Sequence, residues 1–307
     1  MLEGSENRAI SANSAHFVLV GKSRSALYAA RWLQRFGARL TGAVSLDEAR
    51  DLTPAPMAIL VAGDGVDAAR LGDISATATT EIRIWDFEVG RSGPGAFASA
   101  VGGVSTVIGA ADGPPGVMPA FIPEKWAGML AAGLALALCF TEKNGQLTPR
   151  TIDVSAADIL RAYSEQNSGN HAGVPYGWRR NGRTAVEHGG VFPQGFFPCS
   201  DGYLAVQARS RQDWQNILSA LGNPTWAADK KFQNPFTLSL DDGEVSRLLE
   251  CELKKHSRRE WLDKALQTGA PMAPVFNLEE ACSAHVFRAG FTDGEGAVNA
   301  PFIVRRV

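Results

Sequence analysis

Short apolar runs alternate with helix-forming stretches along the first part of the chain. The apolar run 16–20 predicts a strand, the apolar run 58–62 predicts a buried strand, and 39–43 and 82–85 are further predicted strands. Apolar residues at helical spacing over 25–36 predict a helix, and Gly37 is a suitable stop. Because strands alternate with helices, we expect an α/β fold with a parallel, doubly wound sheet.

The most apolar segment predicts a long helix over 123–141. Its uninterrupted apolar part, 126–140, is shorter than the roughly 20 residues that span a bilayer. We therefore expect this helix in the core of the protein. The segment between it and the fourth strand, 90–116, is rich in Gly, Ser and Pro and predicts loop and turn.

After the long helix, a predicted strand is followed directly by another predicted helix. The β-branched run 151–154 predicts the strand, and Ser155 is placed to cap a helix that starts at Ala156. Asp158 then falls in the first helical turn, where unpaired N–H groups and the helix dipole favour an ionised carboxylate. Such a carboxylate can be a nucleophile or a base, although acidic residues are also routine at this position.

The second half of the chain has a different texture. Residues 167–190 are polar and glycine-rich and predict a connecting segment. A hairpin signal at Ser200–Gly202 follows, flanked by apolar residues. Further elements predict a small α+β domain: helices at 211–221, 242–255, 258–267 and 278–285, and a strand at 271–276. The predicted organisation is a disordered leader 1–14, a large domain with its linker 15–190, the small domain 195–290, and a segment 291–307 that returns to the large domain.

Composition narrows the classes of function. Hydrophobic residues make up 45% and charged residues 20%, and the net charge is −2. This gives no reason to expect nucleic acid or a membrane as a partner. The four cysteines lack CxxC spacing and the five histidines lack HxxxH spacing, so we predict no metal site. The scattered cysteines also predict a reducing, cytoplasmic location.

Two short motifs are candidate ligand contacts. Gly21-Lys22-Ser23 resembles the end of a phosphate-binding loop, but His16 stands where that loop needs its first glycine. Lys22 and Arg24 can therefore either meet a phosphate-bearing ligand or lie solvated. Gly189-Gly190 permits close approach of the backbone to a ligand and offers N–H donors, or is an ordinary linker.

An ordered series of short motifs runs through residues 105–305. It comprises Gly113-Pro114-Pro115, Gly145-Gln146, Ile152–Asp158, Arg180-Asn181-Gly182, Gly189-Gly190, Pro198–Tyr203, Gln212-Asp213-Trp214, Trp261-Leu262, Gly269–Val275 and Leu278-Glu279-Glu280. In this order the motifs resemble the class III CoA-transferases, which include formyl-CoA transferase, carnitine CoA-transferase and α-methylacyl-CoA racemase.

The resemblance implies a Rossmann-like large domain, a small domain and two interlocked chains. It implies that Asp158 attacks an acyl-CoA thioester, that an aspartyl anhydride and then an aspartyl-CoA thioester form, and that an acceptor acid takes the CoA. A loop at Gly189 and Gly190 would cover this aspartate. Lys22, Arg24 and Lys125 become candidate contacts for the phosphates of CoA.

Departures from the family leave alternatives open. Racemases pair the aspartate with a histidine in the segment before the long helix, and residues 112–126 contain no histidine. Residues 18–27 lack the Asp and Gly-Pro of the family's first turn, and its basic segment is reduced between 40 and 56. The chain could therefore be a homodimeric transferase, an auxiliary subunit beside a longer paralogue, or an enzyme for acid/base or lyase chemistry on a CoA thioester or free acid.

Overall fold

The computed structural model describes residues 15–63, 79–110, 112–119, 121–142, 149–168, 170–171, 174–175, 180, 182–184 and 190–283. Contacts divide the chain into two compact units. Unit 1 takes in residues 1–109 and 114–169, and unit 2 takes in 110–113 and 170–307. The predicted leader 1–14 and return segment 291–307 lie outside the described residues.

A five-stranded parallel sheet forms the centre of unit 1, in the order β2-β1-β3-β4-β5. Its strands are β1 (His16–Val20), β2 (Arg39–Ala43), β3 (Ala58–Ala62), β4 (Thr80–Trp85) and β5 (Thr151–Ser155). Residues of β3 and β4 are buried throughout, as expected for central strands covered on both faces. The predicted α/β class with a parallel central sheet is confirmed.

Two helices of unit 1 pack closely on each other. They are α1 (Arg24–Arg35) and α4 (Ile122–Glu142), which is the predicted long helix. Gly128 makes the contact possible, because a Cβ there would lie 2.5 Å from the Ser25 carbonyl oxygen. Within the described residues, Ile122–Cys139 is long and apolar enough to cross a membrane, but half of this window is buried inside the protein. Core helices have the same properties.

The prediction of loop over 90–116 was wrong in part. Helix α3 (Gly95–Val101) and a 3-10 turn at Val104–Val107 lie within it. The Gly95 N–H donates to the Glu124 carboxylate at 3.0 Å, and Glu124 is buried on α4. A partner 29 residues away therefore supplies what a local cap would supply, and the local sequence does not show it. The short helix α2 (Leu46–Arg50) was not predicted either.

Helix α5 (Ala156–Ser168) follows β5 and packs on α3 and α4. The approach to α3 is close, since a Cβ on Gly102 would lie 2.6 Å from the Leu160 Cβ. The Ser164 hydroxyl also donates to the Gly102 carbonyl oxygen. Helix α5 is thus held by its neighbours over its first turns.

Unit 2 contains a three-stranded antiparallel sheet in the order β10-β9-β8. The two-residue strands β6 (Asn170–His171) and β7 (Val174–Pro175) precede β8 (Gln194–Cys199), β9 (Gly202–Gln207) and β10 (Met272–Pro274). The hairpin signal at Ser200–Gly202 is confirmed. The helices are α6 (Arg211–Ala220), α7 (Pro235–Leu238), α8 (Gly243–Leu253), α9 (Arg258–Thr268) and α10 (Leu278–Ser283).

Two buried tryptophans anchor the core of unit 2. Trp214 and Trp261 are fully enclosed, and each indole N–H donates to a backbone carbonyl: Trp214 to Phe232 at 2.7 Å and Trp261 to Leu253 at 2.8 Å. Large aromatic surfaces are thereby buried without an unpaired donor.

Candidate active site

Three strands of unit 1 end on polar side chains at the same edge of the sheet. Lys22 and Arg24 follow β1, Asp86 and Glu88 follow β4, and Asp158 follows β5. The carboxyl ends of parallel strands share one edge, which is where open α/β sheets bind their ligands. The topology therefore collects the candidate residues of this unit on one side.

The junction between β5 and α5 has the predicted geometry. The Ser155 hydroxyl accepts a hydrogen bond from the Asp158 backbone N–H at 3.1 Å, so Ser155 is the cap. Asp158 lies in the first turn of the helix, as predicted. Its position is fixed by local structure alone.

Both oxygens of the Asp158 carboxylate have hydrogen-bond partners. The Ser155 hydroxyl donates to Oδ2 at 2.6 Å, and Nη1 of Arg161 donates to Oδ1 at 3.0 Å. The Asp158 side chain is nevertheless 57% exposed, so a substrate can reach it. An ionised, held and accessible carboxylate is suited to nucleophilic attack.

Arg161 also joins Asp158 to the turn after β4. Its Nη2 donates to the Glu88 carboxylate, whose other oxygen lies 3.3 Å from Nη1 of Arg91. We call Asp158, Arg161, Glu88 and Arg91 the Arg161 cluster. The hydrogen bond to Glu88 raises the pKa of the Arg161 guanidinium above its ordinary value, so this group stays charged.

The turn after β4 accepts hydrogen bonds from the first residues of both α1 and α5. Oδ2 and Oδ1 of Asp86 accept from the backbone N–H groups of Arg24 at 3.0 Å and Ser25 at 2.9 Å, at the start of α1. The next carbonyl, of Phe87, accepts from the Ala157 N–H at 3.0 Å, at the start of α5. The turn after β4 therefore positions both the predicted basic turn and the predicted nucleophile.

The predicted phosphate contacts are all exposed cations of unit 1. The Arg24 guanidinium lies 3.7 Å from the centre of the Phe121 ring, and Nζ of Lys125 lies 5.4 Å from that of Tyr28. Both distances are typical of cation–π contacts, which orient a cation and leave its hydrogen-bond donors available. Lys22 lies in the turn before α1 with its side chain in solvent. These cations fit an anionic ligand, and their role remains a prediction.

The predicted glycine loop is described only in part. Gly189 lies outside the described residues. Gly190 belongs to unit 2 and has a φ of +74°, a backbone conformation that favours glycine. A Cβ at this position would lie 3.1 Å from the Ser239 hydroxyl oxygen. A glycine is therefore required here by the backbone, and a role in covering Asp158 remains a prediction.

Three motifs of unit 2 meet at Arg258. The Arg258 backbone N–H donates to Asp201 at 2.7 Å, and its guanidinium donates to the Val275 carbonyl oxygen at 2.8 Å. The same guanidinium binds both oxygens of Glu280, at 2.9 and 2.7 Å. We call Asp201, Arg258 and Glu280 the Arg258 cluster. Its hydrogen bonds lower the pKa of Glu280 to about 2. These motif residues therefore have a structural role in this unit.

Sequence reasoning missed Arg161, Glu88 and Asp86. Arg161 could have been found, because it lies three residues after Asp158 and such positions are neighbours on a helix. Glu88 and Asp86 could not, since their partners lie on other strand–helix junctions. Among the described residues, no group of three or more His, Cys, Asp or Glu side chains is placed to hold a metal ion.

The sheet order, the small antiparallel sheet and the exposed aspartate after β5 define an α/β protein of the CaiB/BaiF architecture. A crystal structure of a CaiB/BaiF family protein from Brucella suis has a TM-score of 0.71 at 13% identity, covering 95% of this chain and 92% of that one. Residues 88–293 match CoA-transferase family III, and the chain belongs to that family.

Two named relatives are similar in sequence. A Mycobacterium tuberculosis protein named a probable fatty acyl-CoA transferase is 25% identical over 212 residues, which are 64% of this chain and 50% of that protein. The succinyl-CoA:glutarate CoA-transferase of Mus musculus is 24% identical over 194 residues, which are 63% of this chain and 43% of that protein. The chain thus spans about half the length of these relatives.

Proposed function

We propose that the protein transfers CoA from an acyl-CoA thioester to a carboxylic acid, with Asp158 as the nucleophile. The observation that carries this proposal is the Asp158 carboxylate itself. It is held by Ser155 and Arg161, more than half exposed, and set at the carboxyl edge of a parallel sheet. Membership of CoA-transferase family III supplies the class of reaction.

The proposed reaction has four covalent steps. An Asp158 oxygen attacks the thioester carbonyl, the C–S bond breaks, and CoA leaves as a thiolate from a mixed anhydride. The thiolate attacks Cγ of Asp158 and expels the donor acid as its carboxylate. The acceptor carboxylate then attacks the resulting aspartyl-CoA thioester and releases the thiolate. Finally the thiolate attacks the acceptor acyl carbon, and Asp158 leaves as a free carboxylate.

The chain's other candidate residues have supporting roles in this proposal. Lys22, Arg24 and Lys125 would bind the phosphates of CoA, and backbone N–H groups at Gly189 and Gly190 would stabilise the oxyanions. We also propose that the protein works in the cytoplasm as an interlocked dimer. Exposed apolar side chains of unit 1, including Phe97, Met129 and Leu130, are consistent with a partner surface.

The test is acylation of Asp158. The purified chain is mixed with acetyl-CoA, succinyl-CoA or palmitoyl-CoA, quenched with hydroxylamine and analysed by peptide mass spectrometry. We expect a hydroxamate on Asp158 in the wild type and none in Asp158→Asn. Asp263→Asn is the matched control, because Asp263 is also an exposed helical carboxylate paired with an arginine. Proven acyl-CoA binding without a trapped adduct would rule out the proposed mechanism.

One finding favours a second function, that of an auxiliary subunit. The family match begins at residue 88, so β1 to β4, on whose edge Lys22 and Arg24 lie, precede it. A longer paralogue could then bind CoA in a heteromer. This alternative predicts co-purification with such a paralogue and a complex whose turnover is unchanged by Asp158→Asn. Acid/base chemistry on the thioester is a separate outcome, revealed by deuterium exchange at the substrate α-carbon.

A further inference from the structure

We propose that Arg161 binds the carboxylate of the acceptor acid, and that acylation of Asp158 makes it available. This inference rests on the proposed function and goes beyond it, because it names the group that recognises the acceptor. The relevant observation is that Arg161 is tied to Asp158 through one nitrogen only, while its other terminal nitrogen is held by Glu88.

The charges of the Arg161 cluster balance in the resting protein. The four side chains of the Arg161 cluster are two carboxylates and two guanidiniums, which pair with one another. When Asp158 becomes an anhydride or an aspartyl-CoA thioester, it loses its negative charge. Arg161 then has lost one counter-ion, and the cluster carries one uncompensated positive charge. An acid whose carboxylate replaces that of Asp158 restores the balance.

The position of Arg161 would place the acceptor carboxylate close to the reacting carbon of Asp158. Glu88, whose side chain is only 17% exposed, keeps hold of Nη2 after Asp158 has reacted, so the guanidinium stays near the reacting carbon. Arg161 itself is 46% exposed, and the freed Nη1 can donate to an incoming carboxylate oxygen. Planar guanidinium groups suit carboxylates, and this one is already oriented.

Binding of the acceptor acid therefore depends on whether Asp158 has been acylated. In the resting protein, Asp158 occupies Nη1 and competes with free acids. In the acylated protein the competitor is gone, and the acceptor binds one helical turn from the bond that it must attack. The departing donor carboxylate uses the same nitrogen on its way out, so donor and acceptor acids should compete with each other.

Isotope exchange tests this without knowledge of the natural acceptor. The acyl-CoA that labels Asp158 best in the panel is incubated with its own free acid carrying ¹³C, and label entering the thioester is measured. In Arg161→Gln we expect the KM of the acid to rise about ten-fold, the value of one charge-assisted hydrogen bond at this exposure. Acylation of Asp158 in the absence of free acid should slow by a much smaller factor, because Ser155 still holds the nucleophile when Arg161 is replaced.

Two further variants sharpen the result. Arg161→Lys keeps the charge without the planar fork, so we expect an intermediate KM for the acid. Arg259→Gln removes an exposed arginine paired with Asp263 on α9, and should change neither KM nor acylation.

The outcomes separate the two proposals. An unchanged KM for the acid in Arg161→Gln overturns the role of Arg161, and acylation of Asp158 in the wild type then leaves the proposed function standing. Acylation and acid binding that weaken by the same factor also overturn it, because Arg161 would then only shape the site. Absence of acylation in the wild type overturns the proposed function and this inference with it.

Discussion

Each unit contains an arginine held between two carboxylates, and the two clusters differ in how completely the arginine is bound. Arg258 in unit 2 is 18% exposed, holds Glu280 through two nitrogens and also donates to a backbone carbonyl. Arg161 in unit 1 is 46% exposed and holds Asp158 through one nitrogen. The first arginine is largely enclosed by its own unit, whereas the second is exposed enough to exchange one partner. The same residue types thus stabilise one unit and equip the other for chemistry.

The largest effect on stability should come from Arg258→Ala. The change removes both hydrogen bonds to Glu280, the donor to the Val275 carbonyl and the 3.5 Å ion pair with Asp201, so we expect unit 2 to lose about 3 kcal/mol. The backbone hydrogen bond to Asp201 remains. Hydrogen exchange of the β8–β9 amides, read by mass spectrometry, measures the loss. Arg259→Ala, next along α9 and fully outside this cluster, is the control. Equal exchange in the two variants would show that the Arg258 cluster is dispensable.

A smaller loss is expected in unit 1 from Gly128→Ala. The added Cβ would meet the Ser25 carbonyl oxygen at 2.5 Å, and α1 and α4 must separate, at a cost of about 2 kcal/mol. On the same helix, Gly133 has no heavy atom within 4 Å of its Cβ position, and Gly133→Ala should stabilise by about 0.5–1 kcal/mol. Thermal unfolding of the two variants measures this difference. Equal melting temperatures would show that unit 1 does not depend on the close contact between α1 and α4.

The Arg258 cluster should also make stability depend on pH. The pKa of Glu280 is lowered to about 2 in the folded protein from an ordinary value of 4.5. Its contribution is therefore complete above pH 4.5 and is lost as the pH falls toward 2. Urea unfolding of wild type and Glu280→Gln should show a difference that is constant near neutrality and shrinks in acid. A difference that grows on acidification would reverse the assigned sign.

The smallest effect on stability is expected from Arg161→Gln. Asp158 and Arg161 are both exposed, and exposed ion pairs contribute at most about 1 kcal/mol, commonly less. The less exposed Glu88 loses its bond to Arg161 but keeps its ion pair with Arg91. Chemical denaturation should give a midpoint close to that of the wild type, in contrast to Arg258→Ala. A loss as large as that of Arg258→Ala would mean that the Arg161 cluster is structural, and would remove the contrast between the two units.

The local parts of the fold were readable from the sequence. Strands β1 and β3 lie on apolar runs and β5 on a β-branched run, and the cap at Ser155 follows from its position before an Ala-rich stretch. Helix α3 was not readable, because its N-terminal donor is satisfied by Glu124 from a distant helix. Composition over 90–116 therefore predicted loop where tertiary contacts allow a helix.

The candidate site divides in the same way. Ser155, Asp158 and Arg161 are neighbours in sequence, so pattern and helical spacing can find them. Glu88 is 73 residues from Arg161, and only the strand order brings the two together. The roles of Lys22, Arg24, Lys125, Gly189 and Gly190 stay predictions, since binding depends on a ligand and not on the chain alone.

Seven consecutive residues, Ser155–Arg161, contain the cap, the carboxylate and its arginine. Because Asp158 and Arg161 both lie in the first two turns of α5, any tilt or slide of the helix carries them together. Movement of α5 as a rigid body therefore leaves the acid beside its counter-ion. Under the proposed function, acylation of Asp158 removes its negative charge and so ends the ion pair with Arg161. The pair thus responds to the reaction and not to movement of the helix.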